Sequence, residues 1–422
     1  MSCEGRAWLT NQPGVSLCIH VFHKGFGRPL LRARVKEARP LYLSLADEVE
    51  VGQMKQDKGV LFILGGWGVG GAERVTAVLA DEFAKRGWRV GIAVYQFEDK
   101  SLLSGVDQSI RYLEMTGKRF SSENAAKLRN FIKENGYEYI INGWCPPYSH
   151  TKFIRRAIAS MDVKLIALHH NVPNMNNRIA KAHNPILKKV FQVVSAFNLH
   201  LVYRKCDAYV VLSECFKRIF TDFTKVQDVS KLHAISNPLT LPPLPPREKE
   251  NAILYVGRLE ETQKRVSRVV EVWKKLSVRF PNWRLDIVGD GPDRASYEEQ
   301  AKGIDRIAFH GFRNPIVFYA KSKILLLTSD FEGFPLVLAE ALAAKCVPLA
   351  LGTYPSVHDI INGANGIVAM PPFEPERFSE TLADMLNHPE MIESMSDVGS
   401  RIGKLFSVGN IADQWEALLR GL

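Results

Sequence analysis

The segment TSDFEGFPLVLAEALAAKCVPLA, residues 328–350, begins at the end of the apolar run KILLLTS and indicates the fold. The apolar run is typical of a buried strand, and the residues after Pro335 have the composition of a helix. Pro335 suits the first position of that helix, because a proline there loses no hydrogen bond. One carboxylate, Glu332, then lies in the loop and a second, Glu340, lies within the helix. A strand, a loop and a helix in this order are typical of a wound α/β sheet.

The same alternation of apolar runs and helical stretches extends over most of the chain. Before the proline-rich segment 236–250 the predicted strands are GVLFILGG, WRVGIAVYQF, YEYIING, VKLIALHH and AYVVLS. After it they are NAILYVGRL, RLDIVGDG, RIAFHGF, KILLLTS, CVPLALG and NGIVAM. We therefore predict two doubly wound Rossmann-like domains, 59–240 and 241–402, that face a cleft. The final helix, 403–422, is expected to return toward the first domain.

Residues 1–58 differ from the rest, because they have neither sustained periodicity nor clear helix caps. They also lack the apolar core and cleavage site of a secretory signal. We interpret them as a disordered extension or an over-extended reading frame. Met54 stands just before the first predicted strand, so a chain that begins there is expected to fold and to retain activity.

The composition is that of a globular protein, with 46% hydrophobic and 24% charged residues. No run of about 18 apolar residues occurs, so no membrane-spanning helix is expected. The 6 cysteines are scattered without a C-x-x-C pair, which favours neither a zinc ribbon nor a disulfide framework. A reducing cytoplasm fits this pattern best.

Positive charge is concentrated in the first predicted domain. Residues 59–243 contain 25 Lys and Arg against 15 Asp and Glu, whereas residues 244–422 contain 21 against 24. Within the first domain, residues 151–200 contain eight basic residues and one acid, Asp162. This asymmetry indicates an anionic partner for one half of the molecule, although a solvated basic face would give the same count.

The helix after Pro335 provides a physical basis for a ligand site. Its first N–H groups, those of Leu336 and Val337, lack intrahelical acceptors and can hold a phosphate. Glu340 lies deep enough in the helix to accept two ribose hydroxyls, and Glu332 can reach a sugar hydroxyl beyond the diphosphate. For Glu332 alone, compensation of the helix dipole is the alternative interpretation.

These residues carry a resemblance to a known family. EGFPLVLAE, a Glu-x7-Glu pattern after a buried strand, resembles the donor-site motif of the retaining glycosyltransferases of family 4, which have the GT-B fold. GGWGVGGAER, YVGRLEETQKRVSRVVEVWKKL, LDIVGDGPDR and IAFHGF resemble further family blocks in the same order. The resemblance covers about residues 59–422 and implies a glycosyltransferase of the hexosyl-transferring type.

The resemblance also implies roles for individual residues. Arg258 and Lys264 would neutralise the donor diphosphate, and His170 would hydrogen-bond the donor sugar or phosphate without ligating a metal. Front-face attack, in which the departing phosphate takes the acceptor's proton, is the implied mechanism. The chain departs from the family at Lys264-Arg265, where many members have Lys-Gly, which leaves open which cation is primary. Exposed surface charge is the alternative role for Lys264.

We predict a catalytic group and a donor-binding group of residues. The catalytic residues are Arg258, Lys264, Glu332 and His170. The donor-binding residues are Glu340, Gly333, Phe334, Leu336, Val337, Gly70, Gly71 and Arg313. Neither a bound metal nor a separate cofactor is expected, since no D-x-D motif occurs and the nucleotide-sugar is itself the substrate.

Three other classes of protein are alternatives to a glycosyltransferase. Gly66, Gly68 and Gly71 satisfy the G-x-G-x-x-G fingerprint of a dinucleotide-binding oxidoreductase, with Glu98 and Asp99 after the second strand. The acid lies about 27 residues past the third glycine, however, where the fingerprint expects about 20. A sugar-nucleotide epimerase has the same two-domain shape. Nucleic-acid binding is not expected, because no recognition module is present.

The acceptor and the cellular location follow from the basic half of the chain. Residues 190–203 carry no formal charge and are bracketed by Lys188-Lys189 and Arg204-Lys205. The stretch is too short to cross a bilayer, so it is either an interfacial helix or a core helix of the first domain. We expect a UDP-sugar donor and a glycan or lipid-linked acceptor in cell-surface polysaccharide biosynthesis, with the enzyme in the cytoplasm and peripheral at the membrane.

Overall fold

The computed structural model describes residues 58–68, 70–145, 147–175, 179, 181–242 and 247–422. These residues belong to one compact unit. The predicted N-terminal extension, apart from Lys58, lies outside the described residues. The expectation for a chain that begins at Met54 therefore stays a prediction.

Seven strands of the first half pair into one parallel sheet. Their bounds are Gly59–Ile63 (β1), Arg89–Val94 (β2), Arg111–Glu114 (β3), Tyr139–Asn142 (β4), Lys164–His169 (β5), Ala208–Val211 (β6) and Leu232–Ala234 (β7). The order across the sheet is β3-β2-β1-β4-β5-β6-β7. All five residues of β1 are buried, as expected for a parallel strand covered by helices on both faces.

Helices connect these strands and cover the sheet. Their bounds are Gly71–Lys85 (α1), Ser122–Asn135 (α2), Tyr148–Ala157 (α3), Pro185–Lys205 (α4) and Glu214–Thr224 (α5). A short 3-10 helix spans Ser101–Leu103. The limits of α2 follow from local chemistry, because Ser121 Oγ accepts the Asn124 N–H and Gly136 ends the helix at a φ of 63°.

The second half forms a six-stranded parallel sheet. Its strands are Glu250–Val256 (β8), Arg284–Val288 (β9), Ile307–Phe309 (β10), Ser322–Leu327 (β11), Val347–Leu351 (β12) and Ile367–Ala369 (β13). Its helices are Val266–Leu276 (α6), Arg294–Gln300 (α7), Ile316–Lys321 (α8), Leu336–Ala343 (α9), Val357–Ile360 (α10), Pro375–Asn387 (α11), Pro389–Gly403 (α12) and Val408–Arg420 (α13), with a 3-10 turn at Lys404–Phe406. The strand order is β10-β9-β8-β11-β12-β13.

The predicted fold class, two doubly wound α/β domains, is confirmed by these two sheets. In each sheet the strand order reverses direction beside a central strand, β1 in the first and β8 in the second. Ligands of such sheets bind at this switch point, outside the carboxyl ends of the strands. All eleven predicted strands are present, whereas β3 and β7 were not predicted. Both are short strands at the edges of the sheet, and β3 is largely exposed, so neither has a continuous apolar run.

The linker between the two sheets contacts the 3-10 turn near the end of the chain, and the last helix packs on the first domain. Leu239 N donates to Phe406 O at 2.7 Å, so the linker is anchored to the 3-10 turn before α13. Helix α13 packs on α1, where Arg86 Nη1 lies 2.6 Å from Asp413 Oδ1. Trp415 and Leu419 of α13 are buried in a core shared by both halves. The last helix thus joins the end of the chain to the first domain.

Helix α4 contains the uncharged stretch 190–203, for which the sequence allows either a core or an interfacial location. Its C-terminal part belongs to the core, since Leu199, Val202 and Tyr203 are buried. Its N-terminal part is mostly exposed, including large apolar side chains such as Phe197, which is 62% exposed. The core-helix interpretation is therefore wrong for the first two-thirds of the helix.

Three histidines at the carboxyl ends of the first sheet have pKa values lowered by burial. Desolvation lowers the pKa of His150 to about 4, that of His169 to about 3 and that of His170 to about 4. His169 keeps a hydrogen bond between Nδ1 and the Tyr209 hydroxyl at 2.8 Å. As the pH falls, the unfolded chain takes up these protons near pH 6.5, whereas the folded chain takes them up only near pH 4 or below. Folding stability is therefore present above pH 6.5 and is lost as the pH falls toward 4.

We expect the apparent melting temperature to fall by about 5 °C or more between pH 7.5 and pH 5.0. In scanning fluorimetry, the melting temperature of His150→Phe should fall about 2 °C less over this pH range than that of the wild type, because one buried titrating group is removed. His388→Gln is the matched control, since His388 is exposed and its pKa is raised by the Asp384 carbonyl. An unchanged melting temperature over this range would show that the three histidines titrate alike in both states.

Candidate active site

The predicted site residues come from loops that follow four central strands. His170 follows β5, and the Gly-rich loop joins β1 to α1. In the second domain, Lys264 lies between β8 and α6, and Glu332 lies between β11 and α9. Since the strands are parallel, all four loops lie at the carboxyl edge of their sheet, where such folds bind ligands.

The loop before α9 meets the first domain at His170. A Cβ atom on Gly333 would lie 1.9 Å from His170 O and 3.0 Å from Asn171 Cα, so this approach requires a glycine. The His170 Nε2 atom is buried and has no hydrogen-bond partner among the described residues. With its pKa lowered to about 4 by burial, the imidazole is neutral near pH 7 and can donate or accept one hydrogen bond.

Lys264 and Glu332 form an ion pair in this loop region. Lys264 Nζ lies 2.6 Å from Glu332 Oε1, and the Glu332 side chain is 8% exposed. Gln263 Nε2 donates to Phe331 O at 2.9 Å, which ties the turn before α6 to the loop before α9. Because an ammonium has three N–H donors, Lys264 can pair with Glu332 and still donate to a phosphate. This geometry argues against a role for Lys264 as isolated surface charge.

The two predicted arginines lie at exposed positions. Arg258 follows β8, and its carbonyl accepts the Tyr255 hydroxyl at 3.2 Å. Arg313 Nε donates to His310 O at 3.4 Å. Within the described residues neither guanidinium is hydrogen-bonded to the Lys264–Glu332 pair, so the structure does not bring these arginines into it.

Helix α9 begins one residue later than the sequence indicated. Pro335 is its N-cap, with φ −74° and ψ 87°, and is not the first helical residue. Leu338 N donates to Pro335 O at 2.9 Å, which is the first hydrogen bond of the helix. The N–H groups of Leu336 and Val337 come earlier in the chain and have no acceptor within the helix. Phe334 is buried and packs edge-on against Phe406 with ring centroids 5.3 Å apart. The phosphate-binding prediction for the first turn is therefore geometrically feasible, with Phe334 in a packing role.

Glu340 is enclosed by protein groups. Its side chain is 1% exposed, and its Oε1 lies 3.1 Å from Arg74 Nη2 and 2.7 Å from Thr240 Oγ1. The Tyr319 hydroxyl donates to Oε2 at 2.9 Å. A carboxylate has about four acceptor positions, so two ribose hydroxyls require at least one of these donors to leave. Arg74, with a side chain that is 29% exposed, and the partly exposed Thr240 have access to solvent, whereas Tyr319 is buried.

The Gly-rich loop lies beside two carboxylates and helix α9. A Cβ on Gly70 would lie 2.4 Å from Glu73 Oε2, and one on Gly68 would lie 3.7 Å from Glu98 Oε2. Burial raises the pKa of Glu73, and the nearby Glu98 charge adds to the shift. Gly71 lies near Leu336, whose Cδ1 would be in ordinary van der Waals contact, at 3.7 Å, with a Cβ at this position.

Four residues of the site were not predicted: Arg74, Thr240, Tyr319 and Gln263. Arg74 belongs to the quoted GGAER block but was not singled out, and its helical position one turn after the glycines was the available signal. Thr240 lies in the proline-rich linker, where no pattern marks it. The described residues contain no group of three or more His, Cys, Asp or Glu side chains that could hold a metal ion.

The two sheets, the cleft loops and the helix α9 site define a two-domain glycosyltransferase of the GT-B fold. Two family models match the chain, "Glycosyltransferase Family 4" over residues 69–241 and "Glycosyl transferases group 1" over residues 239–401. Together they cover every strand of the two sheets except β1, and the chain belongs to the family 4 glycosyltransferases. The comparisons do not favour the oxidoreductase or epimerase alternatives.

Known proteins of similar sequence and structure agree with this assignment. An uncharacterized glycosyltransferase of Haemophilus influenzae is 26% identical over 85% of this chain and 98% of the relative. A Campylobacter jejuni N-acetylgalactosaminyltransferase, whose name specifies a PP-undecaprenol-linked glycan, is 24% identical over 85% of this chain and 98% of the relative. Anabaena HepE, solved with UDP and glucose, is 16% identical with a TM-score of 0.69, covering 86% of this chain and 100% of that one. This last likeness concerns the fold.

Proposed function

We propose that this glycosyltransferase moves a hexose from a UDP-sugar to a glycan or lipid-linked acceptor, with retention of configuration and without a divalent metal. The observation that carries the proposal is the Lys264–Glu332 ion pair. Glu332 lies just before the first turn of α9, in the loop that contacts His170. A cation and helix N–H groups can bind a diphosphate, and a neutral imidazole can hydrogen-bond a sugar hydroxyl. The UDP and PP-undecaprenol in the names of similar proteins support the choice of substrates.

In the proposed front-face mechanism, the acceptor hydroxyl attacks the anomeric carbon on the side from which the diphosphate departs. The bond from the anomeric carbon to the phosphate oxygen breaks as the new glycosidic bond forms, and the acceptor's proton passes to the leaving phosphate. Lys264, assisted by Arg258 and the N–H groups of Leu336 and Val337, stabilises the charge that accumulates there. Glu332 orients Lys264 and accepts a sugar hydroxyl, and His170 hydrogen-bonds the donor sugar.

A donor screen tests the proposed activity. Thermal shifts with UDP-, GDP- and ADP-sugars should single out one UDP-hexose, which is then used with an acceptor extract while UDP release is measured. Proton NMR of the product should show the anomeric configuration of the donor. An inverted product would contradict retention, and conversion of the sugar in UDP-hexose alone would favour an epimerase.

Activity is expected to survive EDTA with less than about a twofold change, because the leaving charge is neutralised by protein groups. The measurement is UDP release by enzyme dialysed against EDTA, before and after addition of Mg²⁺ or Mn²⁺. Enzyme that was never exposed to chelator is the control. Recovery of activity by tenfold or more on addition of metal would contradict the protein-cation mechanism.

We also propose that the enzyme works in the cytoplasm, peripheral to the anionic inner face of a membrane. The positive excess of residues 59–243 supports this location, and a lipid-linked acceptor would require it. No helix among the described residues is long and apolar enough to cross a membrane.

A further inference from the structure

Helix α4 has an exposed apolar face on its N-terminal two-thirds. Ile186 is 72% exposed, Val193 63% and Phe197 62%. The complete set of exposed large apolar side chains on the helix is Ile186, Leu187, Val190, Val193, Val194 and Phe197. Single exposed apolar residues are common on protein surfaces, whereas a contiguous group of this size indicates an interaction site.

The spacing of these six residues places them on one side of the helix. At about 100° per residue they fall within an arc of about 120°. Lys188 and Lys189 lie on either side of this arc, and Arg204 and Lys205 continue it at the C-terminal end of the helix. An apolar stripe flanked by basic residues is the pattern of a helix that lies in a membrane interface.

The charge around the helix selects its partner. No Asp or Glu occurs between Asp162 and Asp207, a segment that contains seven Lys and Arg residues. Against a second copy of this chain the lysines would face lysines, and like charges in contact are unfavourable. An anionic leaflet offers both hydrocarbon for the stripe and negative headgroups for the basic residues.

The position of the stripe relative to the site agrees with this partner. Strands β5 and β6 pair in parallel, so helix α4, which connects them, runs antiparallel to both. Its N-terminal part therefore lies at the carboxyl edge of the sheet, the edge at which His170 follows β5. A membrane that contacts the stripe would therefore lie near the edge of the sheet that carries His170.

We propose that the apolar face of helix α4 inserts into the boundary between headgroups and acyl chains of an anionic bilayer. The proposal rests on the proposed function in one respect, namely that a lipid-linked acceptor brings the enzyme to a membrane. Basic residues alone would give binding that salt abolishes, whereas insertion adds a component that salt does not screen.

The test is co-sedimentation of the full chain with phosphatidylglycerol–phosphatidylcholine vesicles at low and high salt. Val193→Ser/Phe197→Ser should weaken vesicle binding about tenfold or more at both salt concentrations, because the buried apolar area is lost. Replacement of Lys188, Lys189, Arg204 and Lys205 by Ser should weaken binding mainly at low salt. Val278→Ser is the matched control, since Val278 is 84% exposed on the second domain.

Two results would overturn the proposal. One is unchanged vesicle binding, or no binding, by wild type and Val193→Ser/Phe197→Ser alike. The other is a wild-type dimer on a sizing column that becomes monomeric in this variant, which would assign the stripe to a second copy. UDP-hexose affinity measured without vesicles should be the same in every variant. If the wild type itself does not bind UDP-hexose, the proposed function is overturned. The vesicle result then still shows whether the helix inserts into the bilayer.

Discussion

Lys264→Ala is expected to lower kcat by about 100-fold to 1,000-fold while changing the affinity for the donor much less. Removal of one preorganised donor at a site of developing charge has an effect of this size. Lys264 Nζ pairs with Glu332 Oε1 at 2.6 Å, so the protein itself holds the ammonium in place. Without Lys264, the diphosphate of the bound donor can still accept hydrogen bonds from the N–H groups of α9. These groups alone cannot stabilise the additional charge of the transition state as well as the ammonium does. UDP release at saturating donor measures this change.

Loss of Lys264 also leaves Glu332 as a largely buried carboxylate without its cation. The double variant Lys264→Met/Glu332→Gln separates these two effects, because it removes both charges together. If kcat stays low in the double variant, the cation itself is required. Recovery of kcat in the double variant would show that the uncompensated Glu332 charge caused the loss. Lys274→Ala, which changes an exposed lysine about 12 Å from the start of α6, controls for the net charge of the domain.

The sequence predicted the features of the fold that have a local period. The eleven predicted strands have continuous apolar runs, and the structure contains all of them. Strand β3, with the sequence RYLE, and strand β7, with LHA, depend on a neighbouring strand for their pairing and have no such run. Edge strands of this kind are specified by tertiary contacts, which no local pattern reports.

The candidate site shows the same limit. Glu332, Lys264 and Gly333 could be selected as separate residues, because each lies in a loop after a strand. Their pairing depends on how two loops meet, and the enclosure of Glu340 depends on how α1 meets α9 across the cleft. Arg74 and Glu340 are separated by 266 residues, and no spacing rule connects them. The exposed face of α4 could not be separated from a core face, since an apolar stripe looks the same in either setting.

Glu340→Gln is expected to weaken donor binding by about tenfold to 100-fold, because hydroxyls bonded to a charged acceptor lose about 1.5–3 kcal/mol. Gln keeps the size of the side chain, so Tyr319 and Thr240 retain a partner. Glu340→Ala should weaken the donor too, but it also leaves the buried Tyr319 hydroxyl unpaired and lowers the melting temperature. Calorimetric titration with the UDP-hexose from the donor screen measures the affinity, and scanning fluorimetry measures the stability.

Arg74→Ala determines whether the ribose takes the place of the guanidinium at Glu340. Arg74 Nη2 lies 3.1 Å from Glu340 Oε1, so a ribose that uses this oxygen competes with the guanidinium. If Arg74 leaves when the donor binds, Arg74→Ala should not weaken donor binding, whereas Glu340→Gln should. Equal weakening by both variants would show that the ion pair holds the two domains in the binding geometry. An unchanged donor affinity in Glu340→Gln, together with a lower melting temperature, would make Glu340 a link between domains and would refute its role as the ribose acceptor.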